Sequence, residues 1–268
     1  MSDVSEWFRG RSRVLFVHAH PDDESITTGG TLAALAEAGL EPLLITLTRG
    51  ERGEVVPGPL QGLVQAHGLA VVRQNELKTA LGMLGVERHV FLGVEPARAE
   101  DHPPTIYEDS GMAWGADGRA TSAPDATVDA LTSVPAVEVL NDLLAGVYLA
   151  GAQGIVSYDD GGGYGHPDHV LAHQVSRAVA TALGLPFWEI VSGPSEVAAP
   201  DDGVEAHDSV EAHDVVEAHD ITPWLERKKA ALRAYATQLT VEGDEIVHVG
   251  GQRQAIETIE QFRLRTLE

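Results

Sequence analysis

Cysteine is absent from the 268-residue chain, which excludes disulfides, thiol catalysis and Cys-ligated zinc or iron–sulfur sites. Basic residues are scarce: 18 Lys and Arg stand against 41 Asp and Glu, a formal net charge of −23. A surface of that sign repels phosphate backbones and anionic lipid, so neither a nucleic acid nor a membrane surface is expected as a partner. No run approaches the roughly 18–20 apolar residues that span a bilayer. Residues 1–10 are polar and charged, with no apolar signal core. A cytoplasmic protein is the expectation. The rest of the composition, 43% hydrophobic and 22% charged, is that of an ordinary globular chain. Its length suffices for one large α/β domain, and no convincing linker divides it, so a single domain over residues 1–268 is expected.

What is present is a strand–helix alternation. Residues 14–17, Val-Leu-Phe-Val, predict a buried strand that runs into His18-Ala19-His20-Pro21-Asp22-Asp23-Glu24-Ser25. A helix at 31–38, closed by Gly39, and an apolar strand at 43–47 complete the first unit. Strand, loop, helix, strand implies parallel pairing and a right-handed crossover. The pattern continues with a helix at 69–84, a strand at 89–92, a helix at 137–150, a strand at 154–158, a helix at 170–183 and a strand at 187–191. Residues 94–128, rich in Pro, Gly, Asp and Ala, read as a long loop, and such loops in compact domains tend to be functional or disordered. A helix is predicted at 223–235, with Thr222 as N-cap and Pro223 in its first position, and a terminal helix at 255–264.

Between the last two strand and helix signals the chain changes character. Val204-Glu205-Ala206-His207-Asp208 recurs at 210–214 and 216–220, a period of six. Three such short copies cannot bury a solenoid core. They read as an acidic insert at about 200–220, solvated rather than metal-binding.

Two segments carry chemistry. Each follows a predicted strand, precedes a helix and contains His-Pro-Asp: His20-Pro21-Asp22-Asp23 and His166-Pro167-Asp168-His169. In an open α/β sheet ligands bind beyond the carboxyl ends of strands, so both belong on one rim. His20 and Asp23 are spaced i, i+3, as are His166 and His169, which lets each pair address one point. Pro21 biases His20 away from the α region, and Asp22 and Asp23 stand at a positive helix end. His20, Asp23 and His169 together supply two imidazoles and a carboxylate, the donor set of many catalytic zinc sites with an open water position. Zinc lowers the pKa of that water to about 7. Asp22, the second carboxylate, is then placed as general base. His166 is an oxyanion stabiliser, as imidazolium, or a general acid. A lone His-Pro-Asp is usually a capping turn; two at equivalent junctions are the signal. His18 is expected to point into the sheet without a site role. Gly161 to Gly163 match no dinucleotide fingerprint, so no nicotinamide cofactor is expected. The same donors also serve Fe(II) oxygenases, and a non-catalytic metal- or sugar-binding module would use them too; a spare Asp22 favours hydrolysis over both.

These two motifs resemble the LmbE-like, or PIG-L, family of zinc-dependent N-acetylglucosaminyl deacetylases. The resemblance implies a Rossmann-like, mostly parallel sheet flanked by helices on both faces, one Zn2+ per chain (Fe2+ under reducing conditions), and removal of acetyl from a small N-acetylated sugar conjugate. It makes His20, Asp23 and His169 the metal ligands and Asp22 the base, with Asp168 tuning His166. Within the family the likeness is to the mycothiol branch, through Gly50-Glu51-Arg52-Gly53-Glu54-Val55, Asp109-Ser110-Gly111-Met112 and Gly162-Gly163-Tyr164-Gly165-His166. That branch contains the N-acetylglucosaminyl-inositol deacetylase, toward which Tyr164-Gly165-His166 leans, and the mycothiol S-conjugate amidase, toward which residues 50–54 lean. By the same resemblance Arg73, Asp109 and Met112 contact sugar or inositol, and Tyr164 moves over the site. Read without it, Arg73 is a paired arginine, Asp109 a turn residue and Met112 packing. The likeness spans residues 13 to about 193 and resumes at 216–241. The acidic repeat and a short C-terminus depart from it, which bears on substrate rather than reaction. A homo-oligomer is left open.

Overall fold

The computed structural model describes residues 3–115, 120–191 and 215–266. Its largest sheet contains, among these residues, β1 Val14–His18, β2 Leu43–Thr46, β3 Arg88–Phe91, β4 Gly154–Ser157, β5 Phe187–Ile190, β6 Val215–Asp220 and β7 Ile259–Arg265. In space they run β3-β2-β1-β4-β5-β7-β6. The first five are parallel neighbours; β7 is antiparallel to both β5 and β6.

β1 lies between two parallel partners, with Phe16 opposite Leu44 on one side and Val156 on the other. A central strand has no solvent face, which is why its five residues form an unbroken buried run. Successive side chains enter different cores. Val14 and Phe16 meet Leu32, Leu77, Leu84 and Leu232, whereas Leu15 and Val17 meet Leu143, Val147, Val175 and Val179. The helices α2 Gly29–Glu37, α3 Leu69–Leu84 and α6 Leu225–Ala234 therefore cover one face, and α4 Ala136–Ala150 and α5 Pro167–Leu183 the other. A short α1, Asp23–Thr27, joins β1 to α2. No helix among the described residues is long and apolar enough to cross a membrane.

The order of strands positions the site. The chain leaves β1 for β2 and β3, then returns to β4 on the other side of β1. A crevice opens at the carboxyl ends where strand order reverses, and the two His-Pro-Asp turns follow those two adjacent strands. Each turn leads into a helix N-terminus: α1 starts at Asp23, and α5 starts at Pro167 with His166 as N-cap, its Nδ1 accepting the Asp168 N–H (3.2 Å).

The C-terminal third departs from the sequence expectations. Residues 255–264, expected as a helix, are strand instead: Arg253–Ala255 joins Leu239–Glu242 and Glu245–His248 in a small antiparallel sheet, and β7 inserts between β5 and β6. The inward positions of β7 alternate, but one of them is Glu260, which masks the apolar pattern. Glu260 is held there by the N–H groups of Gly30 (2.9 Å) and Thr31 (2.7 Å) at the start of α2 and by Lys228 (2.8 Å). The two-turn helix Leu60–His67 was also not anticipated. Thr222 does not cap the next helix; Thr222–Trp224 is a 3-10 turn, and the Asp220 carboxylate accepts the Thr222 N–H (3.0 Å).

The acidic repeat is corrected in part. Its first two copies, at 204–208 and 210–214, lie outside the described residues. The third is β6, and two of its side chains are structural rather than solvated. His219, 1% exposed, stacks on Trp7 with ring centroids 4.0 Å apart. Glu217 accepts the Trp188 Nε1–H (3.0 Å) and the Phe8 N–H (2.9 Å). Glu217→Ala leaves both donors without a partner and is expected to cost about 2 kcal/mol in urea unfolding; an unchanged midpoint would return this copy to the solvated surface.

Glu189 of β5 gives a pH-dependent test. Burial pushes its carboxyl up to about 7, opposed by Arg265 at 3.1 Å and reinforced by Asp160 and Asp159. Between its ordinary value of 4.5 and that raised value, the folded chain holds a proton that the unfolded chain has lost. The contribution of this group to stability therefore falls as pH rises through that window. The melting temperature of Glu189→Gln, relative to the wild type, should climb over the same range; a difference that stays flat with pH contradicts the burial argument.

Candidate metal centre

The first turn departs from ordinary backbone at Asp22, whose φ is +119°. That conformation is costly for a residue with a Cβ and persists only where the surroundings enforce it. Here the Asp22 carbonyl accepts the N–H groups of Ser25 and Ile26 (both 3.0 Å), and its own N–H donates to Glu24 (3.2 Å). Glu24 is itself fully buried, bonded by Ser25 (2.6 Å) and by the Tyr235 hydroxyl. Gln238 donates to the Pro21 carbonyl (2.9 Å). The segment after α6 thus braces the turn that follows β1.

The twist presents His20 and Asp23 to α5. His20 Nδ1, Asp23 Oδ2 and His169 Nε2 form a triangle with sides of 3.3, 3.3 and 3.2 Å. Ligands about 2.1 Å from a tetrahedral zinc stand roughly 3.4 Å apart. The outward nitrogens fix what the inward ones carry. His20 Nε2 lies 3.1 Å from the Asp168 carboxylate, and His169 Nδ1 lies 3.2 Å from the Gly162 carbonyl. Both outward partners are acceptors, so each ring donates outward and turns a lone pair inward. Two imidazole lone pairs and a carboxylate oxygen at this spacing repel one another unless a proton or a metal cation lies among them. The donor set therefore fits a divalent metal. His166 lies within 4.8 Å of His20 and His169, and His20, Asp109, His166 and Asp168 also cluster within that distance. The His20–Asp23–His169 triangle, with sides of 3.2–3.3 Å, matches the roughly 3.4 Å separation of ligands around a tetrahedral zinc.

Charge around the centre is strongly biased. Burial lowers the His20 pKa, yet Asp109, Asp168 and Asp23 outweigh it and hold it well above its ordinary value. Burial raises Asp23, but the two histidines bring it well below the usual carboxylate range. Asp22 is driven well up, by burial first and then by the Asp23 charge, with Arg73 opposing. No hydrogen bond among the described residues ties the Asp22 carboxylate. It is a half-buried acid of raised pKa beside a candidate metal, the condition of a general base.

The expected imidazolium at His166 is corrected. Burial, then the charges of His20 and His169, push His166 down to about 3. Its Nδ1 accepts a backbone N–H, which leaves Nε2 as the protonated nitrogen of a neutral ring. His166 can donate a hydrogen bond but does not carry charge. Asp168 reaches His166 through its backbone N–H and its charge, while its carboxylate engages His20 and the Ser110 N–H (3.0 Å). His18 is buried, bonded to Thr28 (3.1 Å) and pushed down to about 4 by burial, outside the chemistry as expected.

The remaining sequence candidates fall around this core. The Asp109 carboxylate accepts the Gly111 N–H (2.8 Å) and stands 3.6 Å from His20 Nε2. Arg73 is buried and gives its guanidinium to the carbonyls of Gly50 and Glu54. A Cβ at Gly53 would lie 2.3 Å from that guanidinium, which explains a glycine there. Arg73 thus holds the 50–54 loop and lends its charge to Asp22 and Asp109. Met112 is 38% exposed, two residues beyond Ser110. Tyr164, 45% exposed, lies edge-on to His169 (5.1 Å) between glycines of positive φ. Glu51, noted in the sequence only as part of the 50–54 motif, joins the Arg49 N–H (3.2 Å) to the Asp109 N–H (3.1 Å) and so ties two rim loops together. Sequence reasoning missed Tyr158, whose one signal was its place at the end of the strand preceding the second turn.

Comparison with known proteins bears on the family and the fold. The sequence profile of PIG-L, GlcNAc-PI de-N-acetylase, matches residues 15–180. The 1D-myo-inositol 2-acetamido-2-deoxy-alpha-D-glucopyranoside deacetylase of Kineococcus radiotolerans is 38% identical, over 94% of this chain and 77% of its own length. Among solved structures, a deacetylase in complex with teicoplanin, from the teicoplanin biosynthesis pathway, shares the fold with a TM-score of 0.58 at 17% identity, covering 94% of this chain and 97% of that one. The 4-carboxy-2-hydroxymuconate hydratase of Pseudomonas putida KT2440 does so at 0.54 and 18%, covering 96% and 98%. One fold thus hosts more than one reaction, and the site has to decide the chemistry.

Proposed function

The chain belongs to the PIG-L family, that of GlcNAc-PI de-N-acetylase, and from that membership we propose that it is a zinc-dependent amide hydrolase that deacetylates an N-acetylglucosaminyl conjugate, with N-acetylglucosaminyl-inositol as substrate. The observation that carries this reading is the 3.2–3.3 Å triangle of two lone-pair nitrogens and a carboxylate oxygen, with an acid of raised pKa one residue before Asp23. His20, Asp23 and His169 would hold the metal, one per chain. Zinc there would supply Lewis acidity toward the amide carbonyl and toward water.

The chain's own groups do the rest. Asp22 takes the proton of the attacking water as the new C–O bond forms. His166 donates from Nε2 to the oxygen of the former carbonyl as negative charge develops there. Asp22 returns the proton to nitrogen as the C–N bond breaks, so the amine leaves neutral and the second water hydrogen stays on the acetic acid, which ionises in solution, with atoms balanced. Asp168 fixes the His20 ring through Nε2. Asp109 and Met112 meet the sugar–inositol, with Arg73 setting the charge behind them, and Tyr164 covers the site on its glycine-flanked loop. A carboxylate base free of other bonds favours hydrolysis over oxygen chemistry at Fe(II), although the same donors would also take that ion.

A second reading is hydrolysis of a mycothiol S-conjugate amide. The 50–54 loop favours it, since Glu51 brings that loop directly against Asp109.

Acetate and amine release from N-acetylglucosaminyl-inositol is expected, abolished by a chelator and restored by zinc. Cleavage confined to an S-conjugate would select the amidase, and inertness toward both overturns the hydrolase assignment. Asp22→Asn should retain stoichiometric zinc while turnover drops about 10²–10⁴-fold. Near-normal turnover in that variant would remove Asp22 from the base role.

A further inference from the structure

Tyr158 follows β4, at the level of the candidate metal centre, and is 4% exposed. Its hydroxyl accepts the Ala19 N–H at 2.8 Å and lies 2.7 Å from Asp23 Oδ2. The backbone donor fixes the direction of the second bond: the phenol hydrogen goes to Asp23. The oxygen it reaches is the one that stands in the triangle with His20 and His169. The phenol ring lies against the His169 imidazole, centroids 4.1 Å apart and planes within 12°. One side chain therefore touches a donor from the turn after β1 and a donor from α5, which are 146 positions apart in the sequence.

We infer that Tyr158 is a positioning residue for the metal, and this inference rests on the metal-centre reading above. Asp23 can rotate about its side-chain bonds. The phenol hydrogen, with the His20 N–H at 2.9 Å, selects Oδ2 as the oxygen that faces the two imidazoles. The His169 ring has one lone pair to offer, and its plane decides where that pair points. The stacked phenol face and the Gly162 carbonyl fix that plane between them. Partners behind metal ligands typically account for 10–100-fold in metal affinity.

A buried tyrosine could instead only fill space and satisfy Ala19. The two roles separate in Tyr158→Phe, which keeps the stacked ring and removes the hydroxyl. Zinc affinity is read on chelator-stripped protein by competition with a chromophoric chelator, and melting is followed with and without zinc. A positioning role weakens zinc binding 10–100-fold and shrinks the rise in melting temperature that zinc confers. A space-filling role lowers the stripped and zinc-loaded melting temperatures together and leaves the affinity as in the wild type, which would overturn the assignment. Tyr158→Leu removes the stack as well and should weaken zinc further than the Phe variant; equal affinities would remove the ring from the argument. Failure of the wild-type chain to take up zinc ends the metal-centre reading and this inference together. Wild-type uptake with an equally tight Phe variant ends this inference alone.

Discussion

Three acceptor atoms from two distant turns of the chain are held a little over 3 Å apart in a buried crevice. Nothing in the amino acids at those positions attracts the three to one another once each histidine has turned its N–H outward. The arrangement is favourable only around a proton or a metal cation, and the surrounding fold supplies the compression. Burying such donors is costly, and the cost is met by partners on their far sides: Asp168 behind His20, Gly162 behind His169, and Tyr158 with the His20 N–H on Asp23.

The same compression sets the proton chemistry. Asp22 and Asp23 are neighbours in sequence, yet burial and surroundings push their affinities for protons in opposite directions. Asp23 faces two imidazoles and ionises readily. Asp22 faces Asp23 and retains a proton more strongly, with Arg73 limiting the shift. Adjacent carboxylates with divided affinities are what an acid–base step beside a ligand requires. Asp22 reaches its position through a strained backbone, and the strain is contained by Glu24 beside it and by Tyr235 and Gln238 from the segment after α6.

The C-terminal segment is therefore part of how the crevice is built. Its β7 strand also carries Glu260, which anchors the start of α2 together with Lys228 of α6. The third acidic repeat completes the sheet edge as β6, clamped by Trp7, Phe8 and Trp188. An acidic, repetitive stretch looks solvated when only its own composition is considered, because the groups that satisfy Glu217 and His219 come from elsewhere in the chain.

The amino-acid order alone determined the alternation of strands and helices through residue 191, apart from the helix Leu60–His67, the two His-Pro-Asp turns, and the donor types His20, Asp23 and His169 with Asp22 to spare. These are local properties: side-chain periodicity, the dihedral limits imposed by proline, and the chemistry of each residue. Tertiary structure decided that the two turns meet, because strand order reverses between β1 and β4. It also decided which nitrogen of each imidazole points inward, that His166 is neutral, that the Asp168 carboxylate serves His20, and that Tyr158 bridges two ligands. Each of those depends on burial and on partners distant along the chain, and no local pattern encodes them. The missed strand at β7 has the same origin: a buried glutamate breaks the apolar alternation, and only Gly30, Thr31 and Lys228 make its burial tolerable.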